Sequence, residues 1–273
     1  MKKIILIALT FLSILNSHGQ TADYIIRNGT IIDGMGNQWQ YKDVAITKDK
    51  IVAIGNLQNW KGTREIDAKG FIISPGFIDV HGHIENAAIR NPLASNFIYD
   101  GVTTVITGNC GGSMESLKKY FNTIDSVGVA INIASLIGHN TIRKQVMGTA
   151  NRNATEEELM QMEQLAQQAM KDGAAGMSTG LIYIPGTYAP TSEIVRLAKV
   201  VSNNSGVYAS HIRNEENQVV DAVNEAIQIG RAATIPVEIS HFKISGQNNW
   251  GRSKETIPLV VNARKEGIDV TID

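Results

Sequence analysis

The chain has 273 residues, 43% of them hydrophobic, with 25 basic residues set against 26 acidic ones. A chain of this size can bury a large core, and its near-neutral balance offers no basic face to nucleic acid or to an anionic membrane surface. Cys110 is the single cysteine, which excludes an internal disulfide.

Taken from its start, Met1-Lys2-Lys3 precedes the apolar stretch Ile4 to Leu15, and Ser17-His18-Gly19 then supplies small residues at a cleavage point. This pattern reads as a signal peptide over residues 1–20, too short to span a bilayer comfortably. The expectation is an exported protein, periplasmic or secreted, with no integral membrane association after cleavage. No cysteine follows the leader, which argues against a lipid anchor. In an oxidising compartment the lone Cys110 thiol is exposed to oxidation unless it is buried or bound to a metal.

Residues 21–75 form a first compositional unit. Tyr24-Ile-Ile-Arg, Thr30-Ile-Ile, Asp43-Val-Ala-Ile and Lys50-Ile-Val-Ala-Ile are short β-like runs, separated by the turn signals Asn28-Gly29, Gly34-Met-Gly36 and Lys48-Asp49. They predict a small antiparallel β-domain of sandwich type, without evident chemistry.

From residue 76 to 273 the pattern changes. Strand candidates begin at Phe77 and continue through Val102 to Thr107, Val129 to Ile137, Ala174 to Met177, Gly206 to Ser210, Pro236 to Ser240 and Ile268 to Ile272. Amphipathic helices fall between several of them. Thr155 and Glu158 have capping-box spacing at the head of a helix reaching Lys171, with Leu159, Met162, Ala166 and Ala169 as its apolar stripe. Further helices run roughly over 192–201, 216–233 and 254–266. Alternation of this kind implies parallel strands, and so many units point to a (β/α)₈ TIM-like barrel. An open doubly wound sheet is the alternative, and no Gly-x-Gly-x-x-Gly at a strand-to-helix turn supports it.

The polar residues fall at one end of this scheme. Phe77, Ile78 and Val80 read as a buried first strand closed by His81-Gly82-His83, whose imidazoles, two residues apart, can converge on one point. Asn109-Cys110 follow the second strand, His211 ends the fifth and His241 the sixth. In a (β/α)₈ barrel the C-terminal strand ends form one rim, where sites of this fold are assembled. Imidazole and thiolate together favour Zn²⁺ over Mg²⁺ or Ca²⁺. His139 also ends a strand but has no partner spacing, and reads as a supporting or structural residue.

The motifs Ser74-Pro-Gly-Phe-Ile-Asp-Val-His-Gly-His, Gly101-Val-Thr-Thr-Val-Ile-Thr-Gly-Asn-Cys-Gly, Gly176-Met-Ser-Thr-Gly-Leu-Ile-Tyr, Tyr208-Ala-Ser-His-Ile-Arg-Asn-Glu and Ile239-Ser-His-Phe-Lys resemble the amidohydrolase superfamily. Within it, they resemble the N-acyl-D-amino-acid deacylase (D-aminoacylase) family over essentially everything after the leader. The resemblance implies zinc-dependent hydrolysis of the amide bond of a small N-acyl-D-amino acid. It implies that Cys110, His211 and His241 hold a tight zinc and that His81 and His83 serve a second, weaker position. Relatives such as hydantoinases and dihydroorotases bridge two metals with a carbamylated lysine on strand four, where this sequence reads Gly173-Ala-Ala-Gly-Met-Ser-Thr-Gly. The resemblance further implies that Tyr183 and Lys243 contact the substrate carboxylate or the scissile carbonyl, with Arg213 a weaker candidate for anion binding.

In that family the general base is an aspartate ending strand eight, and the sequence runs to Asp273 in its seventh strand pattern. The expectation is therefore an incomplete barrel that by itself turns over little. Asp79 reads as structural and Asp273 as a bystander. A non-catalytic zinc-binding remnant and a cyclic amidohydrolase of hydantoinase or dihydroorotase type are the alternatives.

Overall fold

The computed structural model describes residues 20–273. The signal peptide expected over residues 1–20 thus lies, but for its last residue, outside the described residues. None of the described helices is long and apolar enough to cross a membrane. The described residues divide into two compact units, with the boundary between Pro75 and Gly76.

The first unit carries one mixed sheet built from β1 (Thr21–Ile31), β2 (Gln40–Thr47), β3 (Lys50–Gly55), β4 (Lys61–Asp67) and the two-residue β5 (Ile72–Ile73). The turn signals give the antiparallel pairs β1–β2 and β2–β3. The purely antiparallel expectation is corrected by β4 and β5, which both lie parallel to β1. A parallel neighbour arrives through a crossover instead of a tight turn, so local turn chemistry does not announce it. Ala22, Ile25, Ala45 and Leu57 make its small core. The Arg27 guanidinium ties the strands together, donating to Asp43, to Glu65 and to the carbonyls of Leu57 and Trp60.

The second unit alternates strands and helices. In chain order these are β6 (Phe77–Asp79), α1 (Glu85–Arg90), α2 (Ser95–Tyr99), β7 (Val102–Thr107), α3 (Leu117–Val127), β8 (Asn132–Gly138), α4 (His139–Met147), α5 (Glu156–Lys171), β9 (Gly176–Gly180), α6 (Thr191–Ser202), β10 (Val207–His211), α7 (Val219–Ala233), β11 (Val237–Ile239), α8 (Ser253–Lys265) and β12 (Val270–Ile272). The seven strands stand in sequence order from β6 to β12, each parallel to the next. The sheet curls. His81, just past β6, lies a hydrogen bond from Asp273, just past β12, although those strands stand at opposite ends of the ladder. This is the arrangement of consecutive β/α units in a (β/α)₈ barrel, with every C-terminal strand end at one mouth.

Local chemistry explains the helices the sequence announces. The capping box of Thr155 and Glu158 is formed at the start of α5 and Met162, Ala166 and Ala169 are buried along it. Helix α3 escaped the sequence reading although Ser116 caps it, Gly128 ends it at φ 72° and Leu117, Tyr120 and Ile124 line its buried face. The buried first strand is also corrected: Phe77 and Ile78 are each 61% exposed. β6 is the edge of its sheet and pairs only with β7 among the described residues, so its side chains have one neighbouring strand and not two.

The strand ends approach closely enough to require glycine. A Cβ on Gly138 would stand 2.1 Å from the Gly111 carbonyl oxygen, and one on Gly180 would stand 2.2 Å from that of Cys110. Both contacts are backbone, which cannot swing aside. Substituting Gly138→Ala is expected to destabilise the protein by about 1–3 kcal/mol, the range for overpacking a filled interior. Denaturant unfolding of the variant beside the wild type measures it.

Candidate metal centre

Each loop at the mouth brings one group forward. His81 and His83 stand past the end of β6, not within it, where the Gly82 amide continues the ladder by donating to Ile106 O at 2.8 Å. Asp79 accepts from the His81 amide at 3.0 Å and so holds the turn, a structural part. After β7 the chain turns sharply, with Cys110 at φ 53°. Buried Asn109 fixes that turn by donating to the carbonyls of Val80, Gly82 and Ile106, which stitches the His81 loop to the Cys110 loop. His211 is the last residue of β10, and His241 follows β11 at φ 38°. Left-handed backbone at two non-glycine residues of one cluster is strain of the kind found at functional sites.

The side chains converge. Cys110 Sγ lies 3.4 Å from His81 Nε2 and 3.7 Å from His241 Nε2. Donor atoms of Cys110, His211 and His241 lie within 4.8 Å of one another, and so do those of His81, His83 and Cys110. Cys110 is therefore common to two candidate metal positions. His211 is buried, yet neither of its ring nitrogens has a hydrogen-bond partner. Buried polar atoms are ordinarily paired, so a His211 imidazole without a hydrogen bond, with one ring nitrogen within reach of a thiol and a second imidazole, fits a metal ion. A thiolate with two imidazoles also leaves a tetrahedral ion one open position, the arrangement of catalytic zinc sites.

Protonation separates the two positions. Burial, then the neighbouring His241, lowers His211 to about 4, and burial together with Lys243 lowers His241. These imidazoles are neutral at pH 7 and offer lone pairs. His81 behaves oppositely, because hydrogen bonds to Asp273 and to Cys110 raise it to about 10. Burial works against the Asp273 carboxylate, but the hydrogen bonds from His81 and from the His241 amide together outweigh it and hold its pKa below the ordinary value.

Two acidic residues that sequence reading left without a role stand at this centre. Asp273 Oδ2 lies 2.7 Å from His81 Nδ1, and Oδ1 accepts from the His241 amide, so Asp273 is not the bystander expected. Glu215 Oε1 lies 2.9 Å from His241 Nδ1 and 2.7 Å from Lys243 Nζ. Glu215 was visible as the fourth residue after His211 in the quoted motif; nothing local marked its contact with a histidine one helix and one strand further along the chain. Tyr183 stacks edge-on against His211, with ring centroids 4.7 Å apart, and is half exposed at the mouth. Burial, then Cys110, raises its pKa and keeps the hydroxyl protonated.

Two expectations resolve away from the centre. Arg213 binds Glu225 through Nε and Nη2, each at 2.9 Å, and its remaining donors meet the carbonyls of Thr187 and Ala189. Four of its five N–H donors are thus engaged within the protein, which leaves one for the anion binding expected of it. His139 is fully buried at the head of α4, 2.8 Å from Glu193, which also binds Arg143. Burial pushes Glu193 up, but hydrogen bonds from His139 and Arg143 prevail and hold it down. β9 reads Gly-Met-Ser-Thr-Gly and brings no lysine to the mouth.

Comparison with known proteins agrees with this geometry. Residues 64–235 match the model of the amidohydrolase family. The chain belongs to the amidohydrolase family. This amidohydrolase is 37% identical to the D-aminoacylase of Alcaligenes xylosoxydans xylosoxydans, over 94% of its own length and 58% of that protein's. A D-aminoacylase structure, described for its binuclear metal centre with one-metal activation and second-metal attenuation, superposes with a TM-score of 0.88 at 36% identity, covering 92% of this chain and 58% of that one. The N-acyl-D-glutamate deacylase of Bordetella bronchiseptica, solved with zinc and a phosphonate mimic of the tetrahedral intermediate, gives 0.89 at 34% identity, covering 93% and 58%. The chain thus spans a little over half the length of these relatives.

Two measurements check the assignments. Replacing Glu193→Gln leaves Arg143 buried without its charge partner and is expected to cost about 3–5 kcal/mol, while the affinity of the folded protein for added divalent metal stays unchanged; weaker metal binding there would return His139 and its partners to the candidate centre. In metal-free protein, the folded His81 value of about 10 lies above its ordinary 6.5. Its stabilising contribution is complete below about 6.5 and is lost as pH rises through about 10. The stability gap between wild type and His81→Ala is therefore expected to narrow steadily in denaturant titrations from pH 6 to pH 10.

Proposed function

We propose that this site serves hydrolysis of the amide bond of N-acyl-D-amino acids, yielding a D-amino acid and a carboxylate, with zinc as the resident ion. The observation that carries the reading is the trio Cys110, His211 and His241, whose donor atoms lie within 4.8 Å of one another while neither nitrogen of buried His211 makes a hydrogen bond and only Glu215, at 3.7 Å, stands near Nε2. Likeness to D-aminoacylase over 94% of the chain supports the substrate class.

In this reading Cys110, His211 and His241 hold the tight zinc, and His81 and His83 share Cys110 with a second, weaker one. Bound there, zinc supplies Lewis acidity toward a carbonyl oxygen and makes water acidic enough to ionise near neutral pH. Tyr183 is protonated and half exposed beside His211, so its hydroxyl can donate to a carbonyl oxygen that gains negative charge. Lys243 sets an ammonium group at the rim, held by Glu215 within 2.7 Å, where a substrate carboxylate can reach it. Protonating the leaving amine requires a further acid–base group over the same mouth. Asp273 and Glu215 are already engaged by His81, His241 and Lys243, and the family resemblance gives that step to an aspartate ending an eighth strand. The leader-like pattern of residues 1–20 supports reading the protein as exported, which is part of this proposal.

For protein purified from its native host, the expected outcome is hydrolysis of N-acetyl-D-amino acids with N-acetyl-L-amino acids left intact. Cys110→Ala should lower kcat/KM by about 100-fold or more, since loss of even outer-shell support for a metal costs about 10–100-fold. Equal turnover of both enantiomers, or a Cys110→Ala protein as active and as zinc-rich as wild type, would overturn the assignment.

A further inference from the structure

We propose that Asp273 is a positioning residue of the metal centre, fixing the tautomer of His81 and the backbone of His241 with one carboxylate; the inference rests on the zinc reading above. Three contacts carry it. Oδ2 lies 2.7 Å from His81 Nδ1, while His81 Nε2 lies 3.4 Å from Cys110 Sγ. The second oxygen, Oδ1, accepts from the His241 amide. The backbone of the same residue is bound as well, with the Phe242 amide donating to Asp273 O at 2.9 Å.

An ionised carboxylate only accepts hydrogen bonds, so the group facing Oδ2 must be Nδ1–H. Once the ring gives up its second proton, that leaves the His81 lone pair on Nε2, the atom aimed at Cys110, which is the nitrogen a metal beside the thiolate would use. Carboxylates behind metal-binding imidazoles act in this way, orienting the ring and raising its basicity. The Oδ1 contact does a different task. His241 sits at φ 38°, a conformation an L residue adopts at a cost, and its amide is held there by the carboxylate. One side chain just past β12 thereby joins the loop after β6 to the loop after β11, and so joins one candidate metal position to the other.

Asparagine is the discriminating replacement. It keeps the shape of Asp273 but has one acceptor where the aspartate has two. With its oxygen on the His241 amide, its NH₂ faces His81 Nδ1, which must then accept and carry its proton on Nε2. In Asp273→Asn the second equivalent of zinc is expected to bind about 10–100-fold more weakly, as read by competition against a chromogenic chelator with zinc alone as probe. Long-range ¹H–¹⁵N spectra of zinc-loaded wild type should show His81 with Nδ1–H, a signal absent from the variant. Wild type that takes up zinc with His81 in the Nε2–H form overturns the proposal, whether or not the variant folds. So does a variant that binds both equivalents with unchanged affinity. Wild type that takes up no zinc removes the parent reading, and this inference with it.

Discussion

The mouth of this sheet depends on how flat the loop after β7 can lie across the ends of β8 and β9. Two glycine contacts allow it, with the Gly111 carbonyl packed on Gly138 and the Cys110 carbonyl packed on Gly180 at distances no Cβ would permit. Buried Ser178 fixes the same loop by accepting from the Gly111 amide at 2.9 Å, and Thr141 N–H donates to Gly111 O at 3.2 Å. Held down in this way and turned through φ 53°, Cys110 presents its sulfur to imidazoles arriving from both sides, His81 from the first strand and His241 from the sixth. A loop standing a few tenths of an ångström higher would separate the two groups that share the sulfur.

What could be read in the sequence follows from what is local. Apolar runs between turn signals marked most of the strands β6 to β12, although β9, which reads Gly-Met-Ser-Thr-Gly, begins two residues later than its run suggested, and the cap and stripe of α5 lie within fifteen consecutive residues, 155–169. The five donors His81, His83, Cys110, His211 and His241 were legible because a parallel barrel sends every strand end to one rim, so order along the chain becomes position around a mouth. Partnership at a distance was not legible. Asp273 meets a histidine 192 residues earlier, and Arg213 meets Glu225 on the following helix; neither pairing leaves a trace in periodicity. The exposure of Phe77 and Ile78 was hidden for a related reason, since an apolar run looks alike in a central strand and at an edge.

The charges around the centre form a closed set. Every carboxylate brought near the imidazoles is already matched, Asp273 to His81 and Glu215 to His241 and Lys243. Arg213 and Arg143 are spent on Glu225 and Glu193, outside it. The arrangement leaves Lys243 as a half-exposed cation at the rim, and it leaves buried His211 with both ring nitrogens free of a hydrogen bond. Polarity is thus graded across a few ångströms, from a soft donor set at the bottom to a positive charge at the lip.

That gradient bears on the order in which ions would bind. A metal must find its ligands deprotonated, so any imidazole that holds its proton tightly taxes the site it belongs to. His211 and His241 are both shifted downward and exact little at neutral pH, whereas His81 is shifted up to about 10 by Asp273 and Cys110 and must release a proton first. Two positions that share one sulfur therefore differ in affinity before any difference in ligand distance is considered. The carboxylate that orients His81 for a metal is also the group that favours its protonated form.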